Sequence, residues 1–337
     1  MDFRLPDETA AAAAVAKEWA AARMKPHLGL DPGLPASAAY DDLEPWQSFL
    51  ELGLLDAESA GGTLLDEVAG LIEAVRWGLP GPVLEADLAL ATGNGDAANA
   101  LRDGRIASSA CSEHGGETVV AWGALAEVVV DQSSGRTVAF GPLPRVPMSH
   151  PLPHGWLELP AATGEDGLAT RRWIVATALL VGLAGGAVDL AAEYARGRIQ
   201  FGRPIGDRQA IQLRLAEAHI GVWGGRHAVL DAAWRHSAGR PEAEVAAALA
   251  WLWTEAAARR ASRHAHQAFG ALGFCEEAGL VRLTSQIDWL CMTVGRRAAE
   301  LAAVRDREPN PAEAHTRVFE GYRFPQRAAS HDLTRTA

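Results

Sequence analysis

Residues 171–209 read RRWIVATALLVGLAGGAVDLAAEYARGRIQFGRPIGDRQ, and this stretch decides the fold. Residues 173–188 contain no charged side chain, and the charges of the stretch return at Asp189. A helix that is apolar on every side either spans a membrane or lies at the centre of a large helical body. The uncharged run is shorter than the roughly 20 residues that a span needs. The spacing Gly182-x-x-x-Gly186 suits close packing of helices in either setting. We therefore predict the central helix of a bundle.

Length and overall charge predict a large folded protein. The chain has 337 residues, of which 48% are apolar, enough for two or three domains or for one large helical body. Its formal net charge is −11, whereas a nucleic-acid binder would show a basic patch or stripe. We therefore expect no nucleic-acid partner, and, because the apolar helix is assigned to a bundle, no membrane partner.

Cysteine and histidine positions argue against disulfide and metal frameworks. Cys111, Cys275 and Cys291 are far apart and form no C-x-x-C pair, which argues against a disulfide framework and a zinc site. His264 and His266 would point to different faces of a helix, so we expect no metal. The N-terminus shows no apolar run typical of a signal peptide, and we expect a cytoplasmic protein.

Hydrophobic patterning divides the chain into four parts. Residues 1–104 contain amphipathic helix patterns, one of which Thr63 would cap, and form a predicted N-terminal helical domain. Residues 105–165 contain β-branched runs and many prolines, and we predict a reduced β-domain. Residues 166–305 are predicted to form a helical bundle, and residues 306–337 a polar tail. The predicted strands lie at 119–120, 126–131 and 137–140, and the predicted helix breaks at 202–207, 239–241 and 270–279.

The end of the central helix carries a specific motif. It reads Tyr194-x-x-x-Arg198-x-Gln200-Phe201-Gly202-x-Pro204-Ile205-x-x-x-Gln209. A well-made turn would explain Gly202 and Pro204, but not Tyr194, Arg198 and Gln209 as well. The pattern resembles the C-terminal-domain signature of the acyl-CoA dehydrogenase family, in which a long buried helix ends in an Arg and Phe-Gly-x-Pro-Ile turns the chain into the next helix. The family's N-terminal E-L-G-x sequence also has a counterpart here, Glu51-Leu52-Gly53-Leu54.

The resemblance implies a mostly α fold with an N-terminal helical domain, a middle β-domain and a C-terminal four-helix bundle. The middle domain is shorter here than in the family. In the family, a Thr-Glu-Pro loop and a Trp loop hold the flavin ring. The sequence Ser112-Glu113-His114-Gly115-Gly116 stands where the first loop belongs, and a strand pattern follows almost at once. The reduced β-domain is therefore expected to lack the parts that hold this chain's own flavin.

The resemblance also assigns cofactor-binding residues. Arg198 corresponds to the Arg that contacts the pyrophosphate of an FAD held by the neighbouring subunit, and Phe201 follows in the same motif. Residues 267–274 read QAFGALGF and resemble the family's Q-x-x-G-G-x-G-Y/F segment. Gln267 and Gly270 are retained there, while the next glycine is replaced. On their own, Arg198 would be a solvated side chain at a helix end, and Gly270 would be a helix terminator.

The catalytic base of the family has no counterpart. Desaturation of a thioester needs a carboxylate that takes the α-proton as hydride leaves the β-carbon. The resemblance places this Glu at Val294 or, as in some members, at Arg172, and neither residue is an acid. The sequence Glu320-Gly321-Tyr322 looks like the family's motif but lies too far downstream. We therefore expect no catalytic residue in this chain.

Together, these features predict a short, non-catalytic subunit of a heteromeric α2β2 acyl-CoA dehydrogenase, similar to actinobacterial enzymes that desaturate bulky acyl-CoA thioesters. Its partner would be a larger catalytic acyl-CoA dehydrogenase subunit, and FAD would be shared at the interface between them. One alternative stays open. It is a repurposed fold with no redox role, acting as a binding or scaffold protein or as a flavin-free biosynthetic enzyme.

Overall fold

The computed structural model describes residues 5–25, 42–55, 57–112, 115–146, 152–162 and 167–294. The predicted tail, residues 306–337, lies outside the described residues, and so do the last residues of the predicted bundle. Glu113, His114 and the sequence Glu320-Gly321-Tyr322 also lie outside them.

The described chain is mostly helical, as predicted, and its first part consists of short helices. Thr63 caps the third of these helices, Leu64–Ala74, with a capping box. The Thr63 side chain accepts from the Asp66 N–H, and the Asp66 carboxylate accepts from the Thr63 N–H at 2.8 Å. The cap that the sequence predicted at Thr63 is thereby confirmed. The helices are α1 (Asp7–Trp19), α2 (Glu44–Leu50), α3 (Leu64–Ala74), α4 (Val83–Ala91) and α5 (Gly95–Arg102).

Helix α5 was missed by the sequence analysis because only one narrow stripe of it is apolar. Ala97, Ala100 and Leu101 are its buried residues, and Asn94 caps it by accepting from the Ala97 N–H at 2.9 Å. A π-helical turn, Ala20–Met24, extends α1, and a 3₁₀ turn, Val75–Trp77, extends α3.

The middle of the chain forms two small sheets. In the first, β1 pairs parallel to β3 and β3 pairs antiparallel to β4; in the second, β2 pairs antiparallel to β5. The three predicted strands coincide with β2, β3 and β4. Strands β1 and β5 were missed, since β1 reads ASSA and carries no β-branched or aromatic residue. The strands are β1 (Ala107–Ala110), β2 (Gly116–Val120), β3 (Val128–Asp131), β4 (Arg136–Phe140) and β5 (Gly155–Leu159).

The last described part is a bundle of four helices, separated at the three predicted breaks. They are α6 (Ala169–Gly197), α7 (Gln209–Ser237), α8 (Ala243–Phe269) and α9 (Leu280–Thr293). A short hairpin, β6 (Ile199–Gln200) and β7 (Arg203–Pro204), connects α6 to α7. By length and composition α6 could cross a membrane, but 94% of its most apolar window is buried within the protein. This burial fits the predicted central helix.

Glycines allow α6 to lie close to the N-terminal helices. A Cβ atom at Gly186 would overlap the carbonyl oxygen of Arg76, and one at Gly182 would overlap that of Ile72. The two glycines of the predicted packing motif therefore let the backbone of α6 approach α3 and the turn that follows it. Larger residues at these positions would force the two parts of the chain apart.

Candidate functional site

The two sequence segments that resemble cofactor-binding motifs meet at one end of the bundle. Tyr194, one turn before the end of α6, stacks on Phe269, the last residue of α8, with ring centroids 4.2 Å apart and an interplanar angle of 13°. The carboxyl ends of α6 and α8 therefore lie side by side. We call the surface formed by Arg198, Phe201, Gln267 and Gly270 at these helix ends the outer end.

Arg198 is the residue that caps α6. Its backbone N–H donates to the Tyr194 carbonyl at 2.8 Å, and its carbonyl accepts from the Ile205 N–H at 2.9 Å, so the backbone is held on both sides. The side chain is exposed, and none of the described acids forms an ion pair with it. An Arg that is held by its backbone, and whose exposed guanidinium has no ion-pair partner among the described residues, is suited to an anion such as a phosphate.

The hairpin that follows Arg198 holds Phe201 in an unusual conformation. Phe201 and Gly202 have φ values of 54° and 79°, as the two central residues of a tight hairpin loop require. Positive φ is costly for a bulky aromatic residue, and such strain is found preferentially at functional sites. The Phe201 side chain is 92% exposed, and the Arg208 guanidinium lies 5.1 Å from its ring centroid. The structure thus presents an aromatic ring to the outside.

Gly270 ends α8 beside the end of α6, the helix that leads into the hairpin. Its φ of 63° and ψ of −140° are accessible only to glycine, and no atom lies within 4 Å of the place a Cβ would occupy. Gln267 is exposed one turn earlier. The backbone at Gly270 is therefore open to close approach by a ligand, and an amide side chain stands nearby.

The outer end presents the kinds of groups that would suit part of a dinucleotide such as FAD. It offers a guanidinium, an amide, open backbone and an exposed aromatic ring, which suit the diphosphate and adenosine of a dinucleotide. The two positions considered for the base contain no acid. Val294 is buried after the end of α9, and Arg172 is buried and donates to Gln132 at 2.8 Å.

A buried ion cluster lies next to Arg172 and was not predicted. Arg171 donates to Asp87 on α4, to Glu67 on α3 at 2.9 Å, and to Glu58. Glu67 and Asp87 are fully buried, and burial raises the pKa of Glu67 well above its usual range, with the Asp87 charge adding to the effect. The cluster joins three helices. The feature of the sequence that could have indicated this cluster is the Arg171-Arg172 pair at the start of an otherwise apolar helix.

A small cavity, also missed, lies where α4, the sheets and α9 meet. We call it the junction cavity; its volume is about 30 Å³. Its polar lining residues, Glu85, His154 and Gln286, come from three distant parts of the sequence. Within the described ranges no three His, Cys, Asp or Glu side chains group as metal ligands would.

Comparison with known proteins identifies the bundle. The family model described as "Acyl-CoA dehydrogenase, C-terminal domain" matches residues 164–305. Among curated proteins, the probable acyl-CoA dehydrogenase YngJ of Bacillus subtilis is 38% identical over 37% of this chain and 32% of its own length. Acyl-CoA dehydrogenase IpdE2 of Mycobacterium tuberculosis is 30% identical over 51% of this chain and 57% of its own length. The matches thus span less than two thirds of either relative.

The fold extends the comparison to the whole chain. A chain in the crystal structure of the ChsE4-ChsE5 complex from Mycobacterium tuberculosis superposes with a TM-score of 0.73. The superposition covers 92% of this chain and all of that one, at 23% sequence identity. The N-terminal helices, the small sheets and the bundle therefore follow one known arrangement. By sequence, residues 164–305 therefore match the C-terminal domain of the acyl-CoA dehydrogenase family, and the chain as a whole has an acyl-CoA dehydrogenase-like fold.

Proposed function

We propose that this chain is a cytoplasmic, non-catalytic subunit of a heterotetrameric α2β2 acyl-CoA dehydrogenase. Its partner is a larger catalytic acyl-CoA dehydrogenase subunit, and the assembly carries out the α,β-desaturation of an acyl-CoA thioester. In this proposal the outer end completes the FAD site of the partner.

The observation that carries the proposal is the arrangement of the outer end. Arg198, Phe201, Gln267 and Gly270 come from two segments about 70 residues apart, and the Tyr194–Phe269 stack brings those segments together. All four residues are exposed. A ligand that used them would lie on the outside of this chain, where a second subunit could hold the rest of it.

The roles of the residues follow from their chemistry. FAD, when bound, supplies the acceptor for the hydride that leaves the β-carbon. Arg198 would balance the charge of the diphosphate, and the open backbone at Gly270 would let it approach closely. Gln267 offers a donor and an acceptor, and Phe201 a flat apolar face.

The interior of the chain supports a non-catalytic role. Neither Val294 nor Arg172 can accept a proton as a carboxylate does. The junction cavity, at about 30 Å³, is far smaller than the roughly 300 Å³ or more of a small-molecule site. The described interior thus offers no base at these positions, and the junction cavity has room for no more than the end of an acyl chain.

An apolar surface on the bundle supports a partner chain. Ile220 and Trp223 on α7 are 68% and 55% exposed, and Trp253 on α8 is 57% exposed. The Trp253 indole donates to the Gly221 carbonyl at 3.0 Å, so Trp253 lies against the segment of α7 that carries Ile220 and Trp223. We call the surface made by Ile220, Trp223 and Trp253 the outer bundle face. Exposed apolar patches of this kind mark interaction surfaces.

The test is co-expression with an acyl-CoA dehydrogenase encoded beside this chain, followed by the flavin absorption spectrum. We expect bound flavin only in the co-purified complex. Arg198→Ala should weaken FAD retention at least roughly tenfold, the size expected when a charge-assisted hydrogen bond is lost. Arg196→Ala is the matched control, because Arg196 is exposed in the same helical turn but lies outside the motif.

Other results would decide against the proposal. An isolated chain that binds FAD fully and desaturates an acyl-CoA would overturn it, together with the expectation that no base is present. Protein without flavin and without a dehydrogenase partner under any condition would favour the non-redox alternative.

A further inference from the structure

The junction cavity is lined by polar groups that the proposed function does not use. Glu85 comes from α4, His154 from the segment before β5, and Gln286 and Trp289 from α9. Apolar side chains from α6, Leu179 and Leu183, form part of the remaining wall. The cavity therefore lies between all three parts of the described chain.

His154 presents a hydrogen-bond donor without an acceptor. Its ring is 3% exposed, and its Nδ1 accepts from the Trp122 N–H at 3.2 Å. Burial lowers the pKa of His154 to about 4, so the ring is neutral near pH 7 and carries its proton on Nε2. No described protein group accepts from this Nε2. Trp122, which fixes the tautomer, has a φ of 57°, a strained value for a large side chain.

Glu85 and Gln286 complete the polar lining. The Trp289 indole donates to Glu85 at 3.5 Å, which is long for a hydrogen bond, and the Trp289 ring lies 3.8 Å from that of His154. Burial raises the pKa of Glu85 to about 7, so its carboxyl group changes charge near neutral pH. The amide nitrogen of Gln286 is buried and has no acceptor among the described residues.

These groups define what the cavity can hold. They amount to two unmatched donors, His154 Nε2 and the Gln286 amide, and one carboxyl group, around a space of about 30 Å³. A water molecule needs roughly 10–15 Å³ by the same measure, so the space takes a hydroxyl group together with the atom that bears it. A hydroxyl group accepts from both donors and donates to the carboxylate. A carbonyl oxygen accepts from both donors but leaves the carboxylate unmatched.

We propose that Glu85, His154 and Gln286 form a binding site for a single hydroxyl group, supplied either by water or by a hydroxylated acyl chain. The second source rests on the proposed function, because it assumes an acyl-CoA ligand, whereas the first does not. Glu85 acts as the acceptor, and the two neutral donors hold the oxygen.

The first experiment is a high-resolution crystal structure of the full chain, with its partner if one is required for crystals. We expect an oxygen atom within hydrogen-bond distance of His154 Nε2, the Gln286 amide and the Glu85 carboxyl group. The proposal is overturned if the three groups instead bond to other protein atoms, or if the cavity contains no ordered oxygen.

The second experiment distinguishes the two sources by calorimetric titration with 3-hydroxybutyryl-CoA and butyryl-CoA. If the ligand supplies the hydroxyl, the hydroxylated thioester binds about tenfold tighter, as expected for one hydrogen bond to a charged acceptor. Glu85→Leu and Gln286→Leu should then abolish this preference. Equal binding of the two thioesters, or no binding, together with an ordered oxygen in the crystal, assigns the site to water.

Two variants keep the test decisive. Glu158→Gln, at an exposed carboxylate on β5, should change neither readout. If the Leu variants do not fold, Glu85→Gln retains an acceptor oxygen of the same shape. In the parent protein the preference for the hydroxyl should increase as pH rises through 7, because Glu85 then becomes a carboxylate. Glu85→Gln should keep a preference for the hydroxyl that does not change with pH in this range, because Glu85 and His154 are the titratable residues among those lining the cavity and His154 is neutral there. Neither experiment depends on flavin, so failure here is separable from failure of the proposed function.

Discussion

The outer end and the junction cavity both bring polar side chains together, but the outer end is exposed to solvent and the junction cavity is buried. At the outer end, Arg198 and Gln267 are exposed, and their backbones are held by helix ends. At the junction cavity, His154 is buried, and its protonation state is set by its surroundings. The difference is that the polar groups of the outer end face solvent, where a ligand can reach them. In the interior, burial keeps polar groups such as His154 neutral, and charged groups are paired with each other.

The largest expected difference between the two regions is in stability. Arg171→Leu removes the cation that faces the buried Asp87 and Glu67, and leaving such acids unpaired should cost about 3–5 kcal/mol of unfolding free energy. Arg198→Leu, an identical change at the outer end, should cost less than about 0.5 kcal/mol, because its guanidinium is exposed. Chemical denaturation of both variants measures this, and equal losses would break the comparison.

The next effect is the pH dependence of stability. Folded Glu85 keeps its proton up to about pH 7, against a usual pKa of 4.5, so its contribution to stability is complete below 4.5 and is lost as pH rises through 7. Folded His154 has a pKa of about 4, against a usual 6.5, so its contribution is lost as pH falls through 4. Between pH 4.5 and 6.5 the two slopes, each about 1.4 kcal/mol per pH unit, oppose each other.

Glu85→Gln should therefore leave the pH dependence of the unfolding free energy that is due to His154 unopposed. The unfolding free energy of the variant should rise with pH by about 1.4 kcal/mol per unit over that interval, relative to the parent protein. Denaturation midpoints at several pH values provide the measurement, and Glu158→Gln is the exposed control. Parallel curves for Glu85→Gln and the parent would mean that Glu85 does not titrate near neutrality.

A smaller effect is expected at the outer bundle face. Trp223→Ala should leave the stability of the isolated chain nearly unchanged but weaken association with the partner by about 2 kcal/mol, roughly 30-fold, as a buried aromatic anchor would. Trp156→Ala, on β5 and 38% exposed, is the matched change outside this face. Analytical ultracentrifugation of the co-expressed complex measures the difference, and equal effects of the two changes would remove Trp223 from the interface.

The smallest expected effect concerns strain in the hairpin. Phe201→Asn replaces a bulky residue at positive φ with one that tolerates this conformation, and should raise stability by about 0.5–1 kcal/mol. Ile199→Asn, two residues earlier in β6, carries no such strain and should give no gain. A stabilised Phe201→Asn variant that retains less FAD in the complex would indicate that the strain serves the outer end. A loss of stability would show that the contact with Arg208 outweighs it.

The sequence predicted the helices and breaks of the described bundle, and the resemblance named the residues that we group as the outer end. The Phe-Gly-x-Pro-Ile turn, the apolar run and the Thr63 cap are local signals, and the structure contains the corresponding hairpin, buried helix and capping box. Strand β1 was missed because its residues have no strand preference of their own and pair in parallel with β3, which follows about 20 residues later.

By itself, the sequence determined that a long apolar helix is buried, where it ends, and that an Arg-bearing turn follows it. These features depend on periodicity, glycine and proline, which act over a few residues. Only the tertiary structure decided that Arg171 faces the buried Asp87 and Glu67, and that Glu85, His154 and Gln286 share one cavity. Ion pairing and burial depend on which distant segments meet, and no local pattern contains that information.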